Sequence, residues 1–209
     1  SLFHKVAVSY YPSYVEEEAI HAVDETIPVK AITAYVYEEF LQNLNKDFAK
    51  REGLLFVGGF AHPPNADAVL WFAKEVFPKI REQIKVNFYI VGSKVTDEIK
   101  ALEQPGNGII VKGFVSEEEL ADLYRNCRIV VVPLRYGAGV KGKVVEAIYN
   151  GAPIVTTSVG SEGIPDVEKV LLVKDQPDEF AETVVELYKD EKRLEDLAEK
   201  TQVYIREHF

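Results

Sequence analysis

The sequence predicts an α/β fold built on a parallel, doubly wound sheet of Rossmann-like design. Three observations carry this expectation. From Leu54 onward, short β-rich runs alternate with helical patterns. Several of the runs stop on glycine, and one joint, residues 137–142, is a glycine-rich loop that opens a helix. Repeated strand–helix units place a parallel sheet between two layers of helices, and such sheets bind ligands outside the carboxyl ends of their strands.

In chain order, residues 54–57 read as a strand closed by Gly58-Gly59. Residues 66–81 read as a helix with Val69, Phe72, Ala73, Val76, Phe77 and Ile80 on one face and Asn65 as N-cap. A strand over 86–91 ends at Gly92, a short helix covers 96–102, and a strand over 109–112 ends at Gly113. Ser116-Glu117-Glu118-Glu119 has the form of a capping box and opens a helix to Asn126. A strand over 129–133 leads into the glycine loop, followed by a helix over 143–150 with Gly151 as its stop. Strands over 154–157 and 170–173 and helices over 178–187 and 191–207 complete the chain. The acidic runs 16–18 and 117–119 read as solvated helix starts, and Trp71 as packing.

Residues 1–52 differ in character. They read as strand (5–10), helix (14–23) and strand (29–36), then a polar linker, 42–52. Two strands and a helix cannot enclose a core of their own. This segment is therefore expected to be the tail of another domain, exposing Phe3, Val6, Val8, Val29, Ile32 and Val36, so that residues 1–40 self-associate, swap between copies or are poorly ordered.

Composition narrows the partners. The chain of 209 residues carries a net charge of −10, which argues against nucleic acid but leaves room for a small anion at a local basic site. No apolar run approaches the length of a membrane span and no secretory leader is visible. The lone Cys127 forbids an intrachain disulfide and reads as a small buried thiol, so a cytoplasmic setting is expected. The chain lacks methionine and starts at Ser1, which reads as a processed or internal start.

The most informative stretch runs from Pro133 to Ala147. A loop from a strand end into a helix start offers free N–H groups and the positive end of the helix dipole. Gly137 and Gly139 allow close backbone approach, and Arg135, Lys141 and Lys143 add positive charge. The combination is a phosphate or diphosphate site. Gly137, Gly139 and Gly142 also match a dinucleotide-binding spacing, with Glu162 where a ribose-binding acid would stand, but that fingerprint normally opens its fold, and here strand–helix units precede the loop. Residues 137–143 match a P-loop spacing too, yet Val144 stands where magnesium would need Ser or Thr. No Asp-x-Asp pair or His/Cys cluster suggests a metal site.

Five segments carry a family resemblance: 55–59, 88–92, 111–115, 131–137, and 146–157 continuing to Gly160-Ser161-Glu162-Gly163. In order and spacing they resemble the C-terminal domain of group 1 (family 4) glycosyltransferases of GT-B fold, over residues 53–190. The resemblance implies that residues 1–52 are the end of an N-terminal acceptor domain plus linker, and that 191–209 form a helix crossing back toward it. It implies transfer of a sugar from a nucleoside diphosphate sugar to an acceptor hydroxyl, with retention of configuration, no metal or other cofactor, and an acceptor held by the other domain. Carried over residue by residue, Glu146 is the second Glu of the family's E-x7-E motif and takes the ribose hydroxyls. Lys141 and Lys143, with Arg135, meet the diphosphate. Gly113-Phe114-Val115 reads the base, and Gly58-Gly59 closes under the phosphates. Ala138 stands where the first Glu of that motif would touch the sugar, and 60–65 lacks the family's basic pair. The catalytic residues are assigned to the other domain, so this segment alone is expected to be inactive. A GT-B epimerase and an inactive nucleotide-sugar-binding scaffold are the alternatives.

Overall fold

A computed structural model describes residues 5–32 and 35–209. Phe3, one of the residues expected to be exposed, lies outside that range, as do Thr33 and Ala34 of the expected second strand.

The central element is a six-stranded parallel sheet. Its strands are β3 (Leu54–Val57), β4 (Phe88–Val91), β5 (Ile109–Gly113), β6 (Ile129–Val132), β7 (Ile154–Thr156) and β8 (Leu171–Val173), in the order β5-β4-β3-β6-β7-β8. The doubly wound α/β reading is therefore correct. All four residues of β6, and Leu54, Leu55 and Phe56 of β3, are buried, as strands covered on both faces must be. The chain winds outward from β3 to β5, then crosses back to β6 and winds the other way. The point where the order reverses lies between β3 and β6, which open-sheet folds use as their binding crevice.

The helix after β3 differs from expectation. It begins at Pro63, with His62 as N-cap, so Asn65 is not the cap. Pro63 and Pro64 suit a first turn, where backbone N–H groups have no helical acceptor. Helix α2 (Pro63–Trp71) runs through one π turn, Phe72–Val76, into α3 (Phe77–Arg81). Pro78 offers no N–H to the preceding turn, and the wider turn absorbs that break by bonding Phe77 N–H to Phe72 O. Helix α4 (Asp97–Lys100) is shorter than expected, with Thr96 as its cap. Helix α5 (Glu117–Asn126) has half of the expected capping box. Ser116 Oγ accepts from Glu119 N–H at 3.2 Å, while the Glu119 carboxylate pairs with Lys112 instead of turning back.

Helix α6 (Gly142–Tyr149) follows the glycine loop and α7 (Ser158–Ser161) follows β7. Helix α8 (Pro177–Lys189) packs on the π turn and α3, and α9 (Glu191–His208) packs on α6. At its far end α9 meets the stretch just before the linker. Phe209 O accepts from Tyr37 N–H at 3.0 Å, and the Arg206 guanidinium lies 5.5 Å from the Phe40 ring centroid.

The N-terminal segment forms a separate two-stranded parallel pair, β1 (Ser9–Tyr11) and β2 (Val29–Ala31), joined by α1 (Tyr14–Val23). The second strand is shorter than expected. Val29 is buried, contrary to expectation, whereas Val6, Ile32 and Val36 are exposed. The linker is not loose. Phe48 is buried, and Arg51, 2% exposed, donates to Cys127 O at 2.8 Å and Tyr124 O at 2.9 Å, capping the carbonyl end of α5.

Candidate functional site

Two loops meet at the switch point: Gly58-Gly59 after β3, and Pro133 to Lys141 after β6. The glycine ends of the neighbouring strands are knitted together. Gly58 N–H donates to Val91 O at 2.9 Å and Gly92 N–H to Gly113 O at 2.8 Å. The approach is so close at Gly92 that a Cβ there would stand 1.9 Å from Gly58 O, so no other residue fits. This packing levels the carboxyl edge into a floor of backbone.

Lys143 lies in the first turn of α6 and crosses that floor beside Gly58. It is largely buried, and among the described residues its ammonium has no hydrogen-bond or ion-pair partner. Burial, and then the charge of Lys141, push its pKa down to about 8. One turn further on, Glu146 is half-buried, and burial raises its carboxyl above the usual range while Lys143 and Tyr124 oppose that rise. A desolvated cation at a helix N-terminus, with a carboxylate on the same helix face, offers one group complementary to an anion and one complementary to hydroxyls.

The other expected basic residues are engaged. Lys141, 8% exposed, turns inward and donates to Gly137 O (3.3 Å) and Gly139 O and pairs with Glu162 Oε2 (3.3 Å). It holds the loop in shape from within. Arg135 forms a two-pronged ion pair with Asp67 of α2, and its guanidinium lies 5.9 Å from the Trp71 ring centroid. Gly137 and Gly139 both take positive φ, 124° and 77°, and so turn the loop over Lys141. At the far edge, Phe114 is 81% exposed after Gly113, while Val115 tucks against the core.

Several residues at the site carried no clear signal in the sequence. Asn65, 4% exposed, donates to Gly59 O at 2.8 Å and leaves its Oδ1 unpartnered among the described residues. It anchors the loop under Lys143, a role hidden by its resemblance to a helix cap. Glu162 stands out in the sequence by its distance from Gly142 and by its place in the resembling segment, and neither signal points to its ion pair with Lys141. Tyr35 carries no motif that marks it in the sequence. Tyr35 stands against Gly142 at the start of α6, where a Cβ would come within 2.6 Å of its hydroxyl. His62 is exposed and Phe60 stacks on Phe56 at 6.2 Å, so both are structural.

The N-terminal segment forms one wall of this region. A Cβ on Gly163 would stand 2.9 Å from Ser13 Cβ, and between the two units lies a cavity of about 170 Å³ lined by Ser13, Tyr14, Tyr35, Val140 and His208, among others. Among the described residues no helix is long and apolar enough to cross a membrane.

A parallel sheet that reverses its strand order between β3 and β6, with a basic helix start at that point, defines a doubly wound, Rossmann-like α/β protein. The family model described as "Glycosyl transferases group 1" matches residues 51–190, and the chain belongs to that family. An uncharacterized 44.6 kDa protein in the cps region of Klebsiella pneumoniae is 29% identical over 184 residues, covering 84% of this chain and 45% of that protein. Among solved structures, Staphylococcus aureus TarM superposes with a TM-score of 0.77 at 14% identity, over 98% of this chain and 41% of TarM. The pneumococcal O-GlcNAc transferase GtfA, solved with UDP and GlcNAc, gives 0.73 at 20% identity, over 99% of this chain and 43% of GtfA. Anabaena HepE, solved with UDP and glucose, gives 0.72 at 16% identity, over 98% of this chain and 59% of HepE. At these identities the structural likeness establishes the shared fold. The chain spans less than half the length of the Klebsiella protein, TarM and GtfA.

Proposed function

We propose that the chain is the donor-binding part of a glycosyltransferase that moves a sugar from a nucleoside diphosphate sugar to an acceptor hydroxyl. In this reading residues 53–190 bind the donor. Residues 1–52 are the end of an acceptor-binding domain, and 191–209 return to it. The observation that carries the reading is Lys143: a largely buried ammonium at the start of α6, without a partner among the described residues, with Glu146 one turn away. Keeping a cation desolvated without a partner is costly, and a diphosphate would supply the missing anion. Glu146 would accept the ribose hydroxyls, and the exposed Phe114 edge would meet the base.

Catalysis in this scheme is positioning plus stabilisation of the departing diphosphate. Lys143 and the N–H groups at the start of α6 supply that stabilisation without a divalent metal, and the sugar is transferred with retention. UDP is the first nucleotide to try, because GtfA and HepE were both solved with it. Saturation-transfer NMR against UDP, GDP, ADP, their sugar conjugates and inorganic pyrophosphate tests the reading. A nucleoside diphosphate should receive saturation at the ribose protons. Silence from all of them at millimolar concentration contradicts it.

A further inference from the structure

Tyr35 reaches the candidate site from the N-terminal side of the chain. It lies in the stretch just before the linker, half-buried against the core, and the end of its ring stands over the first residue of α6. A Cβ on Gly142 would come within 2.6 Å of the Tyr35 hydroxyl, 3.0 Å of its Cζ and 3.2 Å of its Cε1. Gly142 does not take a positive φ, so what its missing side chain provides is room for the end of this tyrosine. Two residues further on the chain is anchored. Tyr37 stacks on Tyr149 with centroids 4.1 Å apart, and its N–H donates to Phe209 O at 3.0 Å. Gly142, Glu146 and Tyr149 follow one another at i, i+4 and i+7, so residues 35–37 run along the face of α6 that carries Glu146.

The start of α6 gathers hydrogen-bond donors. Val144 N–H and Val145 N–H turn back to Lys141 O at 2.9 and 3.3 Å. The N–H groups of Gly142 and Lys143, the Lys143 ammonium and the Tyr35 hydroxyl have no acceptor among the described residues. Free N–H groups belong to any helix start. A tyrosine hydroxyl brought there from another part of the chain does not: phenylalanine would pack the same ring, and the hydroxyl adds only a donor at that spot.

We propose that Tyr35 is a ligand of the donor diphosphate, its hydroxyl donating to a phosphate oxygen held over the first turn of α6. The proposal rests on the reading of that turn as the diphosphate site. Successive helical residues project about 100° apart around the axis. A hydroxyl over Gly142 and the ammonium of Lys143 therefore meet an anion at the helix start from two sides. The ring is held by packing and by the anchored Tyr37, so little freedom is lost when the bond forms. The donor site then draws on a residue from before the linker as well as on residues 53–190.

The test is titration of the full chain with UDP and with inorganic pyrophosphate, followed by NMR. Tyr35→Phe keeps the ring and removes a hydroxyl that holds nothing in the protein, so its melting temperature should match that of wild type. It should weaken UDP and pyrophosphate alike, about tenfold, the loss of one hydrogen bond to a charged group. Gly142→Ala should push the hydroxyl off the helix start and weaken both ligands by a similar factor. The double variant Y35F/G142A should bind as Y35F does, the signature of two changes acting through one contact. If Y35F binds both ligands as wild type does, loses UDP while keeping pyrophosphate, or adds its loss to that of G142A, the role of Tyr35 is overturned and the diphosphate site stands. If wild type binds neither ligand, the site reading falls and the proposal with it.

Discussion

The side chain of Lys143 passes so close to Gly58 that a Cβ at position 58 would stand 3.1 Å from Lys143 Cε and 2.9 Å from Asn65 Nδ2. The glycine is thus the space that lets the lysine lie across the floor of the site.

Gly58→Ala should therefore act on the ligand site more than on the fold. The methyl must push aside the end of a lysine and an amide that anchors Gly59. We expect a loss of about 1–2 kcal/mol in stability and about tenfold in diphosphate affinity, read by thermal melts and calorimetry. Gly59→Ala, which would meet only Ser93 Oγ at 3.3 Å, should cost less in both. Equal losses at the two positions would mean that the contact with Lys143 does not matter.

The lowered pKa of Lys143, about 8 against an ordinary 10.5, sets a pH dependence for both binding and stability. Above pH 8 the free site loses its cation, so affinity for pyrophosphate should be flat below about pH 7 and fall between 8 and 10. Lys143→Arg, which stays charged, should remove that fall. Between the two pKa values the unfolded chain binds more protons, so stability rises with pH there. The penalty from Lys143 is full below pH 8 and fades toward 10.5. Lys143→Met should accordingly be more stable than wild type at pH 7, by about 1–2 kcal/mol after discounting for partial exposure. That is about 2–8 °C in melting temperature, and the gain should vanish near pH 10.5.

Lys141 is expected to behave in the opposite way. Its ammonium satisfies two loop carbonyls and Glu162. Lys141→Met should cost about 2–4 kcal/mol by leaving those acceptors unpaired, and hydrogen exchange should quicken across 137–142. Glu162→Gln should cost about 1 kcal/mol. A Lys141→Met variant with unchanged stability and weakened pyrophosphate binding would return Lys141 to direct contact with the ligand.

Arg51 gives a test of the linker. Its guanidinium closes the carbonyl end of α5 and packs at 4.3 Å on the Phe48 ring. Arg51→Ala should strand buried carbonyls and lower stability by about 3 kcal/mol, or roughly 6–12 °C. A change under 2 °C would show the linker to be dispensable.

Much of this architecture is legible in the sequence, for reasons the residues make plain. Buried strands such as Ile129–Val132 are unbroken β-branched runs, and glycines mark their ends for three reasons: Gly92 packs on the backbone of Gly58, Gly58 makes room for the side chains of Asn65 and Lys143, and Gly113 takes a positive φ of 70°. Boundaries fail where local chemistry has two uses. Asn65 has the residue type of a cap but serves as an anchor, since the two prolines before it already start the helix. Glu119 could have completed a capping box but is drawn to Lys112. In the site, residue type and spacing mark the basic residues of the glycine loop, and the family resemblance marks Glu146. They do not separate Lys143 from Lys141 or Arg135, because whether a lysine points into a crevice or back into its own loop depends on Glu162 and Asp67, far away in sequence.

Calorimetry of wild type, Lys143→Ala and Glu146→Ala with UDP and with pyrophosphate tests the central claim most directly. Wild type should bind UDP with a dissociation constant on the order of 0.1–1 mM. Lys143→Ala should weaken UDP and pyrophosphate alike, by about 1.5–3 kcal/mol. Glu146→Ala should weaken UDP and leave pyrophosphate unchanged, with or without chelator. UDP and pyrophosphate affinities that survive the loss of Lys143, or fall together on the loss of Glu146, would contradict the account.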